Sequence, residues 1–344
     1  MSKEKFLRLV KRIMMWFGVV MVVLVASGFI YQAIATTIDR RNYPPPGQMV
    51  DVGGYRLHLY CAGENVTGDP TIILEQGLGN TSAAWARVQS GIAQTTRVCA
   101  YDRAGMGWSD PSPEPRDAEQ IAAELHSLLQ NAAIPGPYVL VGWSYGGLYV
   151  RAFAGQYPNE VSGIVLLDAS HPDQWSSTPA GLAQYETFSR LYTIAPTLAR
   201  LGVMRVQGFF QPDSGLPAPY NGAIKAFYAA TKDWDAQSAE FLASAATSQQ
   251  VRGLPSLGDM PLIVLTATEH GTPPDMEQQW QGFQNELALL STNSVHEIVP
   301  RANHASFWLD PETAETSVAA VLQVLAALHS GGQMKQSVKA DGRP

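Results

Sequence analysis

Charge is scarce in this sequence. Charged residues make up 15% of the 344, and the net charge is −7. The first twelve residues carry +4, which leaves −11 on the remainder. A body that acidic has no general electrostatic attraction for nucleic acid. Cysteine is scarcer still. Cys61 and Cys99 are too few for a disulfide framework, though a single bridge is open to them. Both fall in or at the end of expected strands, where buried free thiols are the first expectation. Zinc-type Cys/His spacing, internal repeats and heptad runs are missing, and nothing calls for a metal or an organic cofactor.

Long uncharged apolar runs are missing too, with one exception. From Ile13 to Ile38 no residue is charged, and Val, Met, Leu and Phe dominate from Trp16 to Ile30. As a helix this run would span roughly 39 Å, more than a hydrocarbon core needs. Lys3, Lys5, Arg8, Lys11 and Arg12 precede it, so residues 1–12 are expected in the cytoplasm, 13–38 in the membrane, and the rest beyond it. The rival reading is a cleaved signal peptide ending near Ala33-Ile34-Ala35, which would give a secreted or periplasmic protein. Residues 39–48, with three prolines, read as a stiff linker.

What the chain has in quantity is hydrophobic sequence, 46%, patterned for a large core. Met49–Val52 and Tyr55–Cys61 flank Gly53-Gly54 as a hairpin. Strands are expected at Thr71–Leu74, Arg97–Tyr101, the apolar run Tyr138–Val141, Val161–Leu167, Pro261–Ala267 and Val295–Val299. Helices are expected at Ser82–Ala93, Asp117–Leu129, Leu148–Tyr157, Met276–Leu290 and Pro311–Leu328. The alternation implies a mainly parallel sheet covered on both faces. Residues 169–258 interrupt it with Ala-rich helical sequence carrying Trp175, Tyr185, Phe188, Tyr192, Phe209, Phe210, Tyr220, Phe227, Tyr228 and Trp234. Residues 331–344 read as a disordered tail.

The organising motif is Val139-Leu140-Val141-Gly142-Trp143-Ser144-Tyr145-Gly146-Gly147, an apolar strand ending in Gly-x-Ser-x-Gly before a helix. A sharp strand-to-helix turn lifts a serine hydroxyl off the sheet, and the helix N-terminus favours developing negative charge. A serine alone is a poor nucleophile and needs an imidazole to take its proton.

On these residues the chain resembles the α/β-hydrolase family across nearly all of residues 49–330. The resemblance implies a mostly parallel eight-stranded sheet flanked by helices, with 169–258 as a helical lid between strands 6 and 7. It implies Ser144 as nucleophile and His304, in Pro300-Arg301-Ala302-Asn303-His304 after the last strand, as general base. The third member, an acid for His304, has two family positions. One is the end of strand 6, where Asp168 stands. The other is the loop after strand 7, where His270 occupies the usual Asp position and Glu269 and Asp275 are displaced neighbours. Asp168 is preferred, then Glu269, then Asp275. The oxyanion hole would use the backbone N–H groups of Tyr145 and of Leu78, in Gln76-Gly77-Leu78. Gln76 and Trp143 each stand where the family often has histidine; the first changes what braces the oxyanion loop, and the bulky ring of the second is expected to narrow or brace the site. Asp102, in Asp102-Arg103-Ala104-Gly105-Met106-Gly107, is expected to be structural.

The function expected is therefore a membrane-anchored serine hydrolase for a small apolar carboxylic ester, its lid aromatics lining the pocket or forming the lid's own core. An aminopeptidase or amidase would need an acidic lid group, for which Glu186 and Glu240 are candidates. A non-catalytic ligand-binding receptor is the third reading. Asn65-Val66-Thr67 and Asn80-Thr81-Ser82 match the glycosylation pattern, but a glycan on Asn80 would crowd the oxyanion loop, which disfavours a glycosylated protein.

Overall fold

Eight strands form one sheet in the order β1-β2-β4-β3-β5-β6-β7-β8 in this computed structural model, which describes residues 3–209 and 213–334. They are β1 (Gln48–Asp51), β2 (Arg56–Ala62), β3 (Thr71–Glu75), β4 (Val98–Tyr101), β5 (Tyr138–Trp143), β6 (Val161–Leu167), β7 (Leu262–Ala267) and β8 (Ser294–Val299). The first hairpin pairs antiparallel, and β2 pairs antiparallel with β4; every later pairing is parallel. All residues of β3, β5 and β7 are buried, as a parallel strand covered on both faces requires.

The helices are α1 (Lys3–Asn42), α2 (Ala86–Ile92), α3 (Ala118–Asn131), α4 (Gly146–Gln156), α5 (Pro179–Arg200), α6 (Val203–Phe209), α7 (Ala218–Tyr228), α8 (Thr231–Leu242), α9 (Ser244–Arg252), α10 (Pro274–Ala288), α11 (Ser306–Leu309) and α12 (Pro311–His329). On one face α3 and α4 bury Ile121, Leu125, Leu148 and Phe153 against the sheet; on the other α2, α11 and α12 bury Val88, Phe307 and Val321. Caps set the starts. Asp117 accepts from the Gln120 N–H at 3.1 Å to open α3, and Asp310 from the Thr313 N–H at 2.9 Å to open α12. The five helices α5 to α9 lie between β6 and β7 in the chain.

Four expectations need correction. Cys61 and Cys99 are not free thiols: antiparallel register sets them opposite each other, with Cα atoms 4.0 Å apart, and they form a disulfide. Residues 39–42 belong to α1 rather than to a linker, because this end of the helix is docked on the body. There Gln32 donates to the Ala229 carbonyl at 2.6 Å, and Arg205 pairs with Asp39 at 2.6 Å. Residues 331–334 are not loose, since the Met334 N–H donates to the Asn293 side chain at 2.8 Å; the rest of the expected tail, and Phe210, lie outside the described residues. The helix expected over Ser82–Ala93 is a 3-10 turn followed by α2. Among the described residues, α1 is the helix long and apolar enough to cross a membrane.

Candidate active site

β5 ends at Trp143, and Ser144 takes a left-handed backbone conformation, φ 54°, before α4 begins. The flanking glycines are demanded by close passage. A Cβ on Gly142 would lie 2.7 Å from the Gly146 carbonyl oxygen, and one on Gly146 2.5 Å from that of Glu75. The serine is thereby lifted to a cavity of about 450 Å³ whose lining includes Ser144, Tyr145, Leu78 and His304.

His304 enters from the loop between β8 and α11. Its Nε2 lies 2.9 Å from Ser144 Oγ and its Nδ1 2.6 Å from Asp168 Oδ2. Trp143 holds this loop from below: its indole N–H donates to the His304 carbonyl at 2.7 Å, and the two rings are 4.8 Å apart. So the tryptophan beside the nucleophile braces the histidine backbone.

Asp168, fully buried just past β6, accepts four hydrogen bonds. Oδ1 takes the Ala267 N–H at 3.1 Å and the Trp280 indole at 2.8 Å. Oδ2 faces two imidazoles, His304 Nδ1 at 2.6 Å and His270 Nε2 at 2.8 Å. Burial would raise the carboxyl pKa, but the hydrogen bonds from His270 and His304, and their charge, hold it well below the ordinary range. His270 Nδ1 in turn lies 2.8 Å from Glu277 Oε2. Burial opposes a proton on His270, yet its bonds to Asp168 and Glu277 prevail and push its pKa up to about 9. Both His270 nitrogens thus face carboxylate oxygens, an arrangement that favours the imidazolium. Glu269 and Asp275 are both exposed, and among the described residues neither is hydrogen-bonded to His304.

Sequence reasoning set His270 aside and did not single out Trp280. His270 does occupy the loop position where an acid was expected, which was a usable signal. Trp280 gave none, because only the docking of α10 aims its indole at Asp168. Asp168, His270 and His304 also bring ligand-type atoms within 4.8 Å of one another. The carboxylate-to-ring distances of 2.6 and 2.8 Å are hydrogen-bond distances, shorter than the roughly 3.3 Å between neighbouring donors of a tetrahedral zinc site.

The acidic groups offered for an amine site are placed elsewhere. Glu240 is fully buried and takes both Arg103 Nε, at 2.8 Å, and Arg103 Nη2, at 2.9 Å. Glu186 is exposed on α5 and is not part of the cavity lining. Asp102 is structural: it lies 2.9 Å from His58 Nδ1 and accepts from the Ser82 and Trp108 N–H groups, with no exposed side chain in the pair. His171 stacks on Phe283 with centroids 4.6 Å apart, and burial pushes its pKa down to about 4.

A family model described as the alpha/beta hydrolase fold matches residues 70–311. The chain belongs to that family. An uncharacterized protein of Schizosaccharomyces pombe (strain 972) is 28% identical over 300 residues, covering 78% of this chain and 54% of the relative. The chain thus spans about half the length of that curated relative. Among solved structures, Cfl2 from Burkholderia cenocepacia superposes with a TM-score of 0.64 at 23% identity, covering 80% of this chain and 94% of that one. A thermophilic esterase from Thermogutta terrifontis gives 0.59 at 20% identity, covering 80% and 97%. At these identities the likeness to the two structures is one of fold.

In this hydrolase-fold chain the wall of the cavity comes from two directions. The inserted helical block supplies Trp175, Phe188, Tyr192 and Phe241; α10 supplies Met276, Trp280 and Phe283. The block's other aromatics do different work. Trp234 packs with Ala195, Ala199 and Met204 in a small core, and Phe227 meets Trp108 edge-on. The aromatics of the inserted block thus divide between the cavity wall and packing away from it.

Proposed function

We propose that this hydrolase-fold protein cleaves an apolar carboxylic ester through an acyl-enzyme on Ser144. The observation that carries the reading is the continuous line Ser144 Oγ, His304, Asp168, with separations of 2.9 and 2.6 Å, at an apolar cavity. His304 Nε2 takes the Ser144 proton as the oxygen attacks the acyl carbon. The N–H groups of Leu78 and Tyr145 receive the oxyanion, and His304 returns the proton to the departing alcohol. Water, activated by the same imidazole, then releases the acid. Asp168 holds the ring's tautomer and stabilises the imidazolium. A cavity of about 450 Å³ with aromatic walls suits a small apolar acyl or alkoxy group. With Glu240 committed to Arg103, the amine-binding variant loses its buried acid.

We further propose that residues 13–38 anchor the protein in a membrane with residues 1–12 in the cytoplasm, and that 169–258 act as a lid. The Cys61–Cys99 disulfide supports a catalytic domain on the oxidising side. The test of the chemistry is fluorophosphonate labelling of the full chain in detergent, with mass mapping of the adduct. The expected adduct is on Ser144, absent in Ser144→Ala and His304→Ala; turnover of p-nitrophenyl butyrate retained in Ser144→Ala would overturn the assignment.

A further inference from the structure

Arg103 is buried between three segments that are distant in sequence, and each of its five N–H donors has a protein acceptor. Nη1 donates to Glu75 Oε1 and to the Gln76 carbonyl, both at 2.6 Å. Nη2 donates to the Gly77 carbonyl and to Glu240 Oε2, both at 2.9 Å, and Nε to Glu240 Oε1 at 2.8 Å. The fork therefore grips two successive carbonyls of the loop after β3 with one edge. With the other it holds a carboxylate of α8, in the inserted block. Tyr149 backs the cluster, its ring centroid 4.9 Å from the guanidinium carbon.

The grip has a geometric consequence. In a trans peptide the carbonyl and the N–H point in opposite directions. With the Gly77 carbonyl turned onto Arg103, the Leu78 N–H points away from the guanidinium, on the side where Leu78 lines the cavity beside Ser144. The loop has no slack there: a Cβ on Gly77 would lie 2.9 Å from Ser144 Cβ. Among the described residues neither atom of the buried Gln76 amide has a hydrogen-bond partner, so its side chain is not seen to brace the loop. Arg103 is the nearer donor on the Gly77 carbonyl, at 2.9 Å against 3.4 Å for the Asn80 N–H.

We propose that Arg103 and Glu240 are positioning residues through which the inserted helical block sets the oxyanion loop, so that the Leu78 donor is aligned only while α8 is docked. This rests on the serine-hydrolase reading. Neither residue touches substrate; both act through the Gly77–Leu78 peptide. A tetrahedral oxyanion needs its donors aimed, whereas a bound ester in its ground state does not, so loss of the clamp falls on kcat and spares KM.

The experiment uses the full chain in detergent, with Glu240→Gln and Arg103→Lys compared with wild type. Glu240→Gln keeps the side-chain shape but turns an amide NH2 toward the guanidinium; Arg103→Lys keeps the charge but loses the fork. The expected result is a fall in kcat of about 10-fold for Glu240→Gln and about 10²-fold for Arg103→Lys, with KM within about threefold. The affinity for an arylboronic acid, whose serine adduct is tetrahedral and anionic, should fall in proportion to kcat/KM. Where Arg103→Lys does not accumulate folded, Glu240→Gln carries the test. Variants that lose melting temperature but keep wild-type kcat and boronate affinity would overturn the clamp, leaving Arg103 a purely structural ion pair. So would a loss confined to KM. If wild type itself takes no fluorophosphonate on Ser144, it is the hydrolase reading that fails.

Discussion

Two Ser/His/Asp sets stand among the described residues, and they differ in what the imidazole can reach. In Ser144–His304–Asp168 the ring bridges: one nitrogen faces the hydroxyl at 2.9 Å and the other the carboxylate at 2.6 Å. In Ser82–His58–Asp102 the same nitrogen, Nδ1, faces both partners, the hydroxyl at 3.4 Å and the carboxylate at 2.9 Å. His58 and Asp102 are fully buried, and His58 Nε2 has no hydrogen-bond partner among the described residues. His304 can take the serine proton on Nε2 while Nδ1 keeps its bond to Asp168; His58 turns toward Ser82 only the nitrogen that already faces Asp102, and its side chain is sealed from solvent. The same residue types thus form a bridge from hydroxyl to carboxylate in one place and a buried packing device in the other, because role follows from geometry and access.

Substitution can break this contrast, beginning with its largest consequence. Ser144→Ala should lower kcat by about 10⁶-fold, read from ester turnover with active-site titration. Ser82→Ala should leave kcat within twofold, and a large loss there would show that the two sets are coupled. Asp168→Asn should cost about 10⁴-fold in kcat and also lower the melting temperature, since Ala267 and Trp280 can keep an oxygen while the two imidazoles are left facing an NH2. Asp102→Asn should lower stability and leave kcat unchanged. Burial raises the Asp102 pKa, but His58 and the Ser82 and Trp108 N–H groups more than offset it and hold the carboxyl lowered. Losing that charge should destabilise the fold by about 2–4 kcal/mol in urea melts while the folded fraction keeps its specific activity.

The smallest effect concerns a feature that only the first set has. His270 shares Asp168 and is raised from 6.5 to about 9. A raised histidine stabilises the fold fully below about pH 6.5, and the contribution is lost as pH rises through about 9. The stability gap between wild type and His270→Gln should therefore be widest at pH 6 and narrow toward pH 10. A gap that widens with pH would show that His270 is neutral in the folded protein.

Much of the architecture was legible. The strands and helices of the body fall within a few residues of the apolar periodicities, because parallel strands buried on both faces leave an unbroken apolar run and covering helices a regular stripe. Ser144 and His304 could be placed because a strand-turn-helix motif and a loop after the last strand are local features. The acid was harder. Asp168, Glu269 and Asp275 are all near strand ends, and the choice depends on which loop curls toward His304. The pairing of Cys61 with Cys99 likewise depends on the register between β2 and β4, which no single segment encodes.

Sequence by itself determined the period of each element, the glycines at the elbow, the one long uncharged run and the residue types offered for chemistry. These are consequences of local sterics and of apolar burial repeating at 2 or 3.6 residues. Tertiary structure alone decided that His270 and Trp280 converge on Asp168, that Arg103 draws Glu75, Gln76, Gly77 and Glu240 together, and that His58 is sealed while His304 lines a cavity. Those outcomes are hydrogen bonds between segments tens to more than a hundred residues apart. Their directions exist only once the sheet's register and the docking of α8 and α10 have set where each side chain points.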